Sequence, residues 1–164
     1  MNALSERSGS NRAAGALIRL RRDRAPPLRF AGRLIAQQSG RFPQARLWHD
    51  IALYRAYGGG WAVAIVAWRA DIDVTATVRC HADLFPSLDE AVQRIETHKA
   101  DADICPGLAA PDIAIDDPRV DAATLLIQAV ALDRSRRETE RRYRIVSGTL
   151  LASLAWHVEP TTQA

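Results

Sequence analysis

The chain has 164 residues, of which 48% are hydrophobic, and a formal net charge of +3. This length predicts one domain with a substantial apolar core. The longest apolar runs fall far short of the ~18 residues that a membrane-spanning helix needs, and residues 1–27 lack the apolar stretch of a secretory signal. We therefore predict a cytoplasmic protein with no membrane segment, in which Cys80 and Cys105 are reduced thiols.

The modest net charge conceals charges that are sorted by position. Residues 1–46 contain ten Arg and two acids, residues 47–118 contain five basic residues and twelve acids, and residues 119–164 contain seven Arg and five acids. Such segregation is typical of a chain that meets an anionic partner or docks one of its segments on another. We divide the chain into a basic, partly disordered arm (1–27), one α+β domain (28–156) and a flexible tail (157–164), with residues 1–10 contributing nothing to the fold.

Residues 28–82 predict a four-stranded antiparallel meander, after a short helix over residues 11–22. The fourth strand candidate alternates strictly in polarity, and the third is apolar on both faces as a central strand would be. The segment Tyr57-Gly58-Gly59-Gly60 predicts a tight hairpin, since glycine supplies positive φ. The strands are predicted at Leu28–Gln38, Leu47–Ala56, Trp61–Arg69 and Ile72–Ala82.

Helix starts are the clearest local signals in the second half of the chain. Ser87 and Glu90 form a capping box that opens a helix to about Lys99. Residues 100–117 indicate an acidic loop, and Asp117-Pro118 begins a second helix whose residues 125–132 are so apolar that we expect them to be buried. Ser135 begins a second capping box and a last helix to about residue 156. Alternatively, residues 133–135 are a bend inside one long helix.

These elements predict an α+β fold, namely a four-stranded antiparallel β-meander followed by three α-helices, with the helices packed on one sheet face. The final helices either pack on the sheet or pair with a second subunit in a homodimer. Most of the tryptophan and tyrosine side chains in the strands are expected in the core, because three helices are available to cover the sheet.

Two groups of arginines are the candidate binding residues. Those of the last helix recur at three- and four-residue spacing and form a ladder on one face. The alternative is a solvated face in which Glu138–Arg142 and Glu140–Arg144 form i,i+4 pairs. Those of the arm are placed to follow a nucleic-acid backbone, unless the arm is only a solubilising terminus. The candidates are Arg134, Arg137, Arg141 and Arg144 on the helix and Arg19, Arg21, Arg22 and Arg24 in the arm.

No catalytic or metal-binding motif stands out, and we expect no catalytic residue, no metal and no cofactor. His49 and Asp50 are adjacent in a predicted strand, so their side chains point to opposite sheet faces. The aspartates between residues 101 and 117 do not fit a calcium loop and are interpreted as a solvated acidic loop. Four other residues carry zinc-ligand atoms but lack the short ligand pairs of a compact zinc site. These are Cys80, His81, His98 and Cys105.

We therefore predict a non-catalytic binding protein that engages an anionic partner, above all nucleic acid and otherwise an acidic protein surface, through the arm and the last helix. The leading alternative is a small inhibitor or regulator that docks on another protein or nucleoprotein complex, of the type that phages and mobile elements carry, such as an anti-CRISPR protein. The third hypothesis is an enzyme whose site has no recognisable motif.

Overall fold

The computed structural model of the protein describes residues 16–43, 45–70, 75–103 and 122–155. In these ranges, five strands form one antiparallel sheet in which each strand pairs with its neighbour in sequence. Two α-helices and a short 3-10 helix follow. The elements are β1 (Leu17–Leu20), β2 (Leu28–Ser39), β3 (Leu47–Ala56), β4 (Trp61–Ala70), β5 (Thr75–Phe85), α1 (Leu88–Thr97), the 3-10 helix Ala100–Asp103 and α2 (Ala122–Ala155).

The fold is α+β, but the prediction of four strands and three helices was wrong. The additional strand, β1, lies where we predicted a helix over residues 11–22, of which residues 11–15 lie outside the described residues. Ile18 and Leu20 alternate with exposed Leu17 and Arg19 and are 6% and 2% exposed. A run of four residues with three apolar positions fits either a helical or an extended period, and pairing with β2 selects the extended one.

The sheet curls until it is nearly closed. The first residues of β2 pair with β1 and the later ones with β3. The turn after β1 reaches the far strand, where the Asp23 backbone N–H donates to the Cys80 carbonyl at 2.9 Å. The Asp23 carboxylate also lies 3.6 Å from the Arg79 guanidinium. The edge strands are thus joined by local contacts rather than by a continuous ladder.

The predicted positions of the remaining strands agree closely with the structure. β2, β3 and β4 match their predicted bounds to within one residue, and β5 runs on to Phe85. The start predicted for β5, residues 72–74, lies outside the described residues. In the hairpin, Gly59 and Gly60 have φ values of 96° and 86°, which an L side chain rarely adopts.

The two faces of the sheet bury separate apolar clusters. Ile51 and Ile65 lie on the face that α1 and α2 cover, in a core completed by Ile95 and Tyr143. Tyr54 lies on the opposite face. That face is covered by the curl of the sheet itself, through a cluster comprising Ile18, Leu20, Ala52, Tyr54, Ala62, Ala64 and Ala82.

The two helices agree only in part with the predictions. Ser87 caps α1 as expected, because its Oγ accepts from the Glu90 N–H at 3.2 Å. The predicted boundary at Ser135 is wrong, since α2 is one continuous helix of 34 residues, as the long-helix alternative proposed. The Ser135 carbonyl lies inside this helix and accepts from Thr139 Oγ1 at 2.9 Å. A capping-box pattern inside a helix is indistinguishable from a true start when no Gly or Pro breaks the chain.

The predicted burial of the apolar residues before Ser135 is also wrong. Leu126, Ile127 and Val130 are 65%, 69% and 59% exposed. The buried positions of α2 in the described part of the chain begin only at Thr139. The predicted start of this helix at residues 117–118 lies outside the described residues.

The caps provide a matched stability test. We expect Ser87→Ala to lower the free energy of unfolding by ~1 kcal/mol, because it leaves a helix N–H without its acceptor. Ser135→Ala should change it by less than ~0.5 kcal/mol, since alanine is a better residue in a helix interior. Urea denaturation of both variants checks this, and equal losses would contradict the continuous helix.

Candidate functional site

Three of the four arginines predicted as a ladder on α2 lie within ion-pair distance of carboxylates of the same helix. Arg137 pairs with Asp133 at 2.9 Å and Arg141 lies 4.0 Å from Glu138. Arg144 pairs with Glu140 at 2.8 Å and also donates to the Glu96 carbonyl. Arg134 is exposed and forms no ion pair with any described residue. The i,i+4 pairs of the solvated-face alternative, Glu138–Arg142 and Glu140–Arg144, are both present.

The predicted arginines of the arm lie in and after β1 and have no such partners. Arg19, Arg21 and Arg24 are exposed and Arg22 is half-buried. None of the four forms an ion pair within the described residues. The single acid among residues 16–43, Asp23, pairs with Arg79 of β5. These arginines lie in β1 and the turn after it, whereas the other predicted arginines lie in α2.

The sheet register adds further arginines that the sequence prediction did not include. Arg19 lies directly opposite Arg29 of β2, and Arg33 of β2 lies directly opposite Arg55 of β3. Arg29 and Arg33 are exposed, whereas Arg55 packs over the Trp61 ring at 4.9 Å. Like charges directly opposite each other on neighbouring strands are destabilising. We call the exposed group the β1–β2 arginine surface, and it comprises Arg19, Arg21, Arg24, Arg29 and Arg33.

A second site, which the sequence prediction missed, is a buried cluster of three histidines around one carboxylate. His49 Nε2 lies 3.0 Å from Asp103 Oδ2, and His98 Nε2 lies 2.8 Å from the same oxygen. His81 Nε2 lies 2.7 Å from Asp103 Oδ1. His49, His98 and Asp103 are 2%, 4% and 3% exposed. We call these four residues the His–Asp cluster.

Four separate elements place the cluster. His49 of β3 lies opposite Ala67 of β4, and His81 of β5 lies opposite Ile65. Both histidines therefore share the sheet face that the helices cover. His98 is the residue after α1, where the backbone becomes extended. The 3-10 helix carries Asp103.

Packing against α2 fixes the remaining side of the cluster. The N–H of Ala100, at the start of the 3-10 helix, donates to Glu140 Oε2 at 3.0 Å. The Tyr143 ring centroid lies 5.4 Å from that of His49 and 5.0 Å from that of His98. Tyr143 donates its hydroxyl proton to the Ile95 carbonyl at 2.7 Å, and burial raises its pKa. His81 is 31% exposed and connects the cluster to solvent.

Asp103 is ionised at the centre of the cluster. Burial by itself would raise the pKa of this carboxyl, but the hydrogen bonds from His49, His81 and His98 outweigh burial and hold the pKa well below its usual range. A carboxylate has only acceptor sites, so each imidazole contacts it as an N–H donor. Three donors therefore satisfy one buried anion.

The tautomer of His98 is set from its other nitrogen. Arg94 Nη1 lies 3.1 Å from His98 Nδ1, and guanidinium can only donate. His98 Nδ1 therefore accepts the hydrogen bond from Arg94. His98 Nε2 carries the ring proton and donates a hydrogen bond to Asp103. Burial lowers the pKa of His98, and the hydrogen bond to Asp103 opposes this shift without reversing it. The neutral imidazole thus connects a cation to an anion.

The sequence analysis considered these residues in the wrong combinations. The prediction that His49 and Asp50 lie on opposite faces is confirmed. Asp103 is buried, so the interpretation of its segment as a solvated loop was wrong there. The other sequence-based zinc candidates do not join the cluster. Cys80 is a buried free thiol on the sheet face opposite to His81, and Cys105 lies outside the described residues.

The ligand atoms of His49, His98 and Asp103 lie within 4.8 Å of one another, which is close enough to hold a metal ion. No protein-family model matches the chain, and neither the curated proteins nor the solved structures contain a detectably similar protein. In the described part of the chain, no helix combines the length and apolarity needed to cross a membrane.

The pKa directions predict that the metal-free protein loses stability in acid. The folded-state pKa values of His98 and Asp103 both lie below their unfolded values, so their contribution is present at neutral pH and lost on acidification. The loss should begin below the ordinary histidine value of about 6.5 and continue below the ordinary aspartate value of about 3.9. Urea denaturation in a chelating buffer between pH 7 and pH 3 measures it.

Asp103→Asn should lower the free energy of unfolding by about 3 kcal/mol at pH 7, since it removes the charged acceptor of three hydrogen bonds. It should also reduce the loss of unfolding free energy that the wild type shows between pH 7 and pH 3. Asp101→Asn, in the same 3-10 helix, is the matched control and should leave the profile unchanged. A wild-type profile that is flat from pH 7 to pH 3 would contradict this electrostatic account of the cluster.

Proposed function

We propose that this protein binds nucleic acid through the β1–β2 arginine surface. The observation that supports the proposal is the cross-strand pair Arg19–Arg29, in which two arginines lie directly opposite each other and neither forms an ion pair within the described residues. Such a pair costs ~0.2–1 kcal/mol in the free protein. A bound phosphate removes that cost, because guanidinium groups bind phosphate oxygens in a bidentate manner.

The surface favours contact with the phosphate backbone rather than base readout. Arg29 and Arg33 point to the same face of β2 and lie four residues apart, a distance of about 13 Å along a strand. Trp48 is 5% exposed and stacks on Trp68 across the strands, so these two rings are not available to stack on bases. Tyr57, which is 57% exposed and whose backbone N–H donates to the Ala31 carbonyl, is an exposed aromatic residue beside the arginines. Guanidinium contacts to phosphate fix position and carry no base-sequence information.

The structure changes which of the predicted arginines support the function. Three of the four ladder arginines on α2 pair with acids of the same helix, so a phosphate bound there would compete with those carboxylates. The arginines of β1, β2 and the turn between them lack ion-pair partners in the described residues. We therefore move the proposed contact from the last helix to the β1–β2 hairpin.

The test is the triple variant Arg19→Gln, Arg29→Gln, Arg33→Gln. We expect it to bind fluorescein-labelled single-stranded and duplex DNA at least tenfold more weakly than the wild type. The slope of log K against log salt should shrink by roughly 0.7–0.9 for each phosphate that the variant no longer neutralises. Fluorescence anisotropy at several salt concentrations provides both values, and the melting temperature should stay equal or rise.

The matched control removes the same number of charges from α2, as Arg134→Gln, Arg137→Gln, Arg141→Gln. It should retain most of the affinity and of the salt slope. Equal losses in the two triple variants would show that only net charge matters and would overturn the assignment to the hairpin. A wild-type protein that binds neither DNA at low salt would overturn the proposed function.

A second candidate is docking on another protein through the first half of α2, and the exposed side chains of Leu126, Ile127 and Val130 favour it. The stripe that includes Ile127, Val130, Arg134 and Glu138 lines a groove of about 660 Å³. An apolar centre with charged groups beside it is the usual composition of a protein interface.

This candidate predicts that Ile127→Glu abolishes co-purification of a protein partner while leaving folding intact, because Ile127 is outside the buried core. Ile127→Leu is the conservative control and should retain the partner. The pull-down includes nuclease. A partner lost on nuclease treatment supports nucleic-acid binding instead, and a partner retained by Ile127→Glu contradicts docking at this stripe.

A further inference from the structure

We propose that the His–Asp cluster is a binding site for a divalent first-row transition metal, with His49 Nε2, His98 Nε2 and Asp103 Oδ2 as ligands. This inference is independent of the nucleic-acid proposal. It rests on two imidazoles and one carboxylate whose ligand atoms lie within 4.8 Å of one another in the interior of the protein.

The distances suit such an ion. Asp103 Oδ2 lies 3.0 Å from His49 Nε2 and 2.8 Å from His98 Nε2. Two ligands at about 2.1 Å from one ion are separated by about 3.0 Å at a right angle and by about 3.4 Å in a tetrahedron. Each imidazole nitrogen therefore needs to move away from the carboxylate oxygen by only a few tenths of an ångström to admit the ion, and the two nitrogens lie within 4.8 Å of each other.

His81 supports the carboxylate rather than ligating the ion. It contacts Asp103 Oδ1 at 2.7 Å, the oxygen that neither of the other histidines contacts. A hydrogen bond to the second oxygen of a ligating carboxylate orients that ligand. Because His81 is 31% exposed, it also lies on the solvent side, where an ion and its remaining water ligands would enter.

The donor set selects the class of metal. Imidazole nitrogen suits zinc, iron, cobalt, nickel and copper, whereas magnesium and calcium prefer sites built from oxygen alone. Two histidines with one carboxylate also leave open positions on the ion. We therefore choose Zn²⁺ and Co²⁺ as the metals for the test.

Arg94 opposes the metal, and this opposition makes the inference testable. In the metal-free protein, Arg94 donates to His98 Nδ1 and so keeps a proton on Nε2. Ligation through Nε2 requires the proton to lie on Nδ1, where it would face a guanidinium that cannot accept it. Arg94 must then move aside, and Asp83 lies 3.7 Å from its Nε. Replacement of Arg94 by a side chain with an acceptor oxygen should therefore tighten binding.

The experiment uses full-length protein stripped with a chelator and then titrated with Zn²⁺ by calorimetry. We expect one ion per chain and a higher melting temperature with excess zinc. Co²⁺ should produce the visible absorption bands of an ion bound in a protein site. Asp103→Asn and His49→Gln should bind at least tenfold more weakly, and Asp101→Asn should bind like the wild type.

Arg94→Gln should bind Zn²⁺ at least tenfold more tightly than the wild type, as outer partners of ligating histidines typically change affinity by about 10–100-fold. This variant changes a half-buried residue and does not depend on the folding of the ligand variants. The inference is overturned by a wild-type protein that binds neither metal, by unchanged zinc affinity in folded His49→Gln, or by Arg94→Gln that binds no more tightly than the wild type.

Discussion

The buried carboxylate of Asp103 is the interaction on which the arrangement of the helical side of the sheet depends. It contacts side chains from β3, from β5 and from the end of α1, so three elements are held through one residue. An ionised group at 3% exposure is tolerated only where donors replace its lost water. The imidazole nitrogens that donate to this anion are also atoms that can bind a metal ion once their proton has moved to the other ring nitrogen.

The curl of the sheet has a comparable consequence on the other side of the molecule. β1 covers the second apolar cluster by turning Ile18 and Leu20 inward. Strand alternation then obliges Arg19 to point outward, opposite Arg29. The apolar cluster and the basic surface are therefore two sides of the same strands. A substitution on the inner side changes the packing of the hairpin, and one on the outer side changes its surface charge.

Much of the sheet was predictable because its signal is local. The apolar run of β4 and the glycines after Tyr57 specify a central strand and a hairpin without long-range information. β1 was not predictable in this way, since four residues are too few to distinguish a strand from a helical turn. The continuity of α2 through Ser135 was left open because helix propensity there is uniform, and fully buried positions begin only at Thr139 within the described part of the helix.

The His–Asp cluster could not be predicted from the sequence, for a different reason. The common face of His49 and His81 follows from the register of β3, β4 and β5, which a sequence suggests only once the meander is assumed. The position of Asp103 follows from how the 3-10 helix docks on α2, which no short motif encodes. Charged residues in an acidic stretch are usually solvated, and only the structure shows that Asp103 is buried.

The order of the strands has a consequence for the kinetics of folding. Each strand pairs with the next one along the chain, so the sheet closes short loops and its early contacts cost little chain entropy. The cluster, by contrast, also joins Asp103 to His49, which lies 54 residues earlier and so farther along the chain than any strand pairing in the sheet. The sheet can therefore assemble while this carboxylate is still hydrated, and dehydration of the anion is left to the step that docks the last elements. We therefore expect the stabilisation from this buried charge to act mainly by slowing unfolding, because interactions that form after the folding transition state change the unfolding rate.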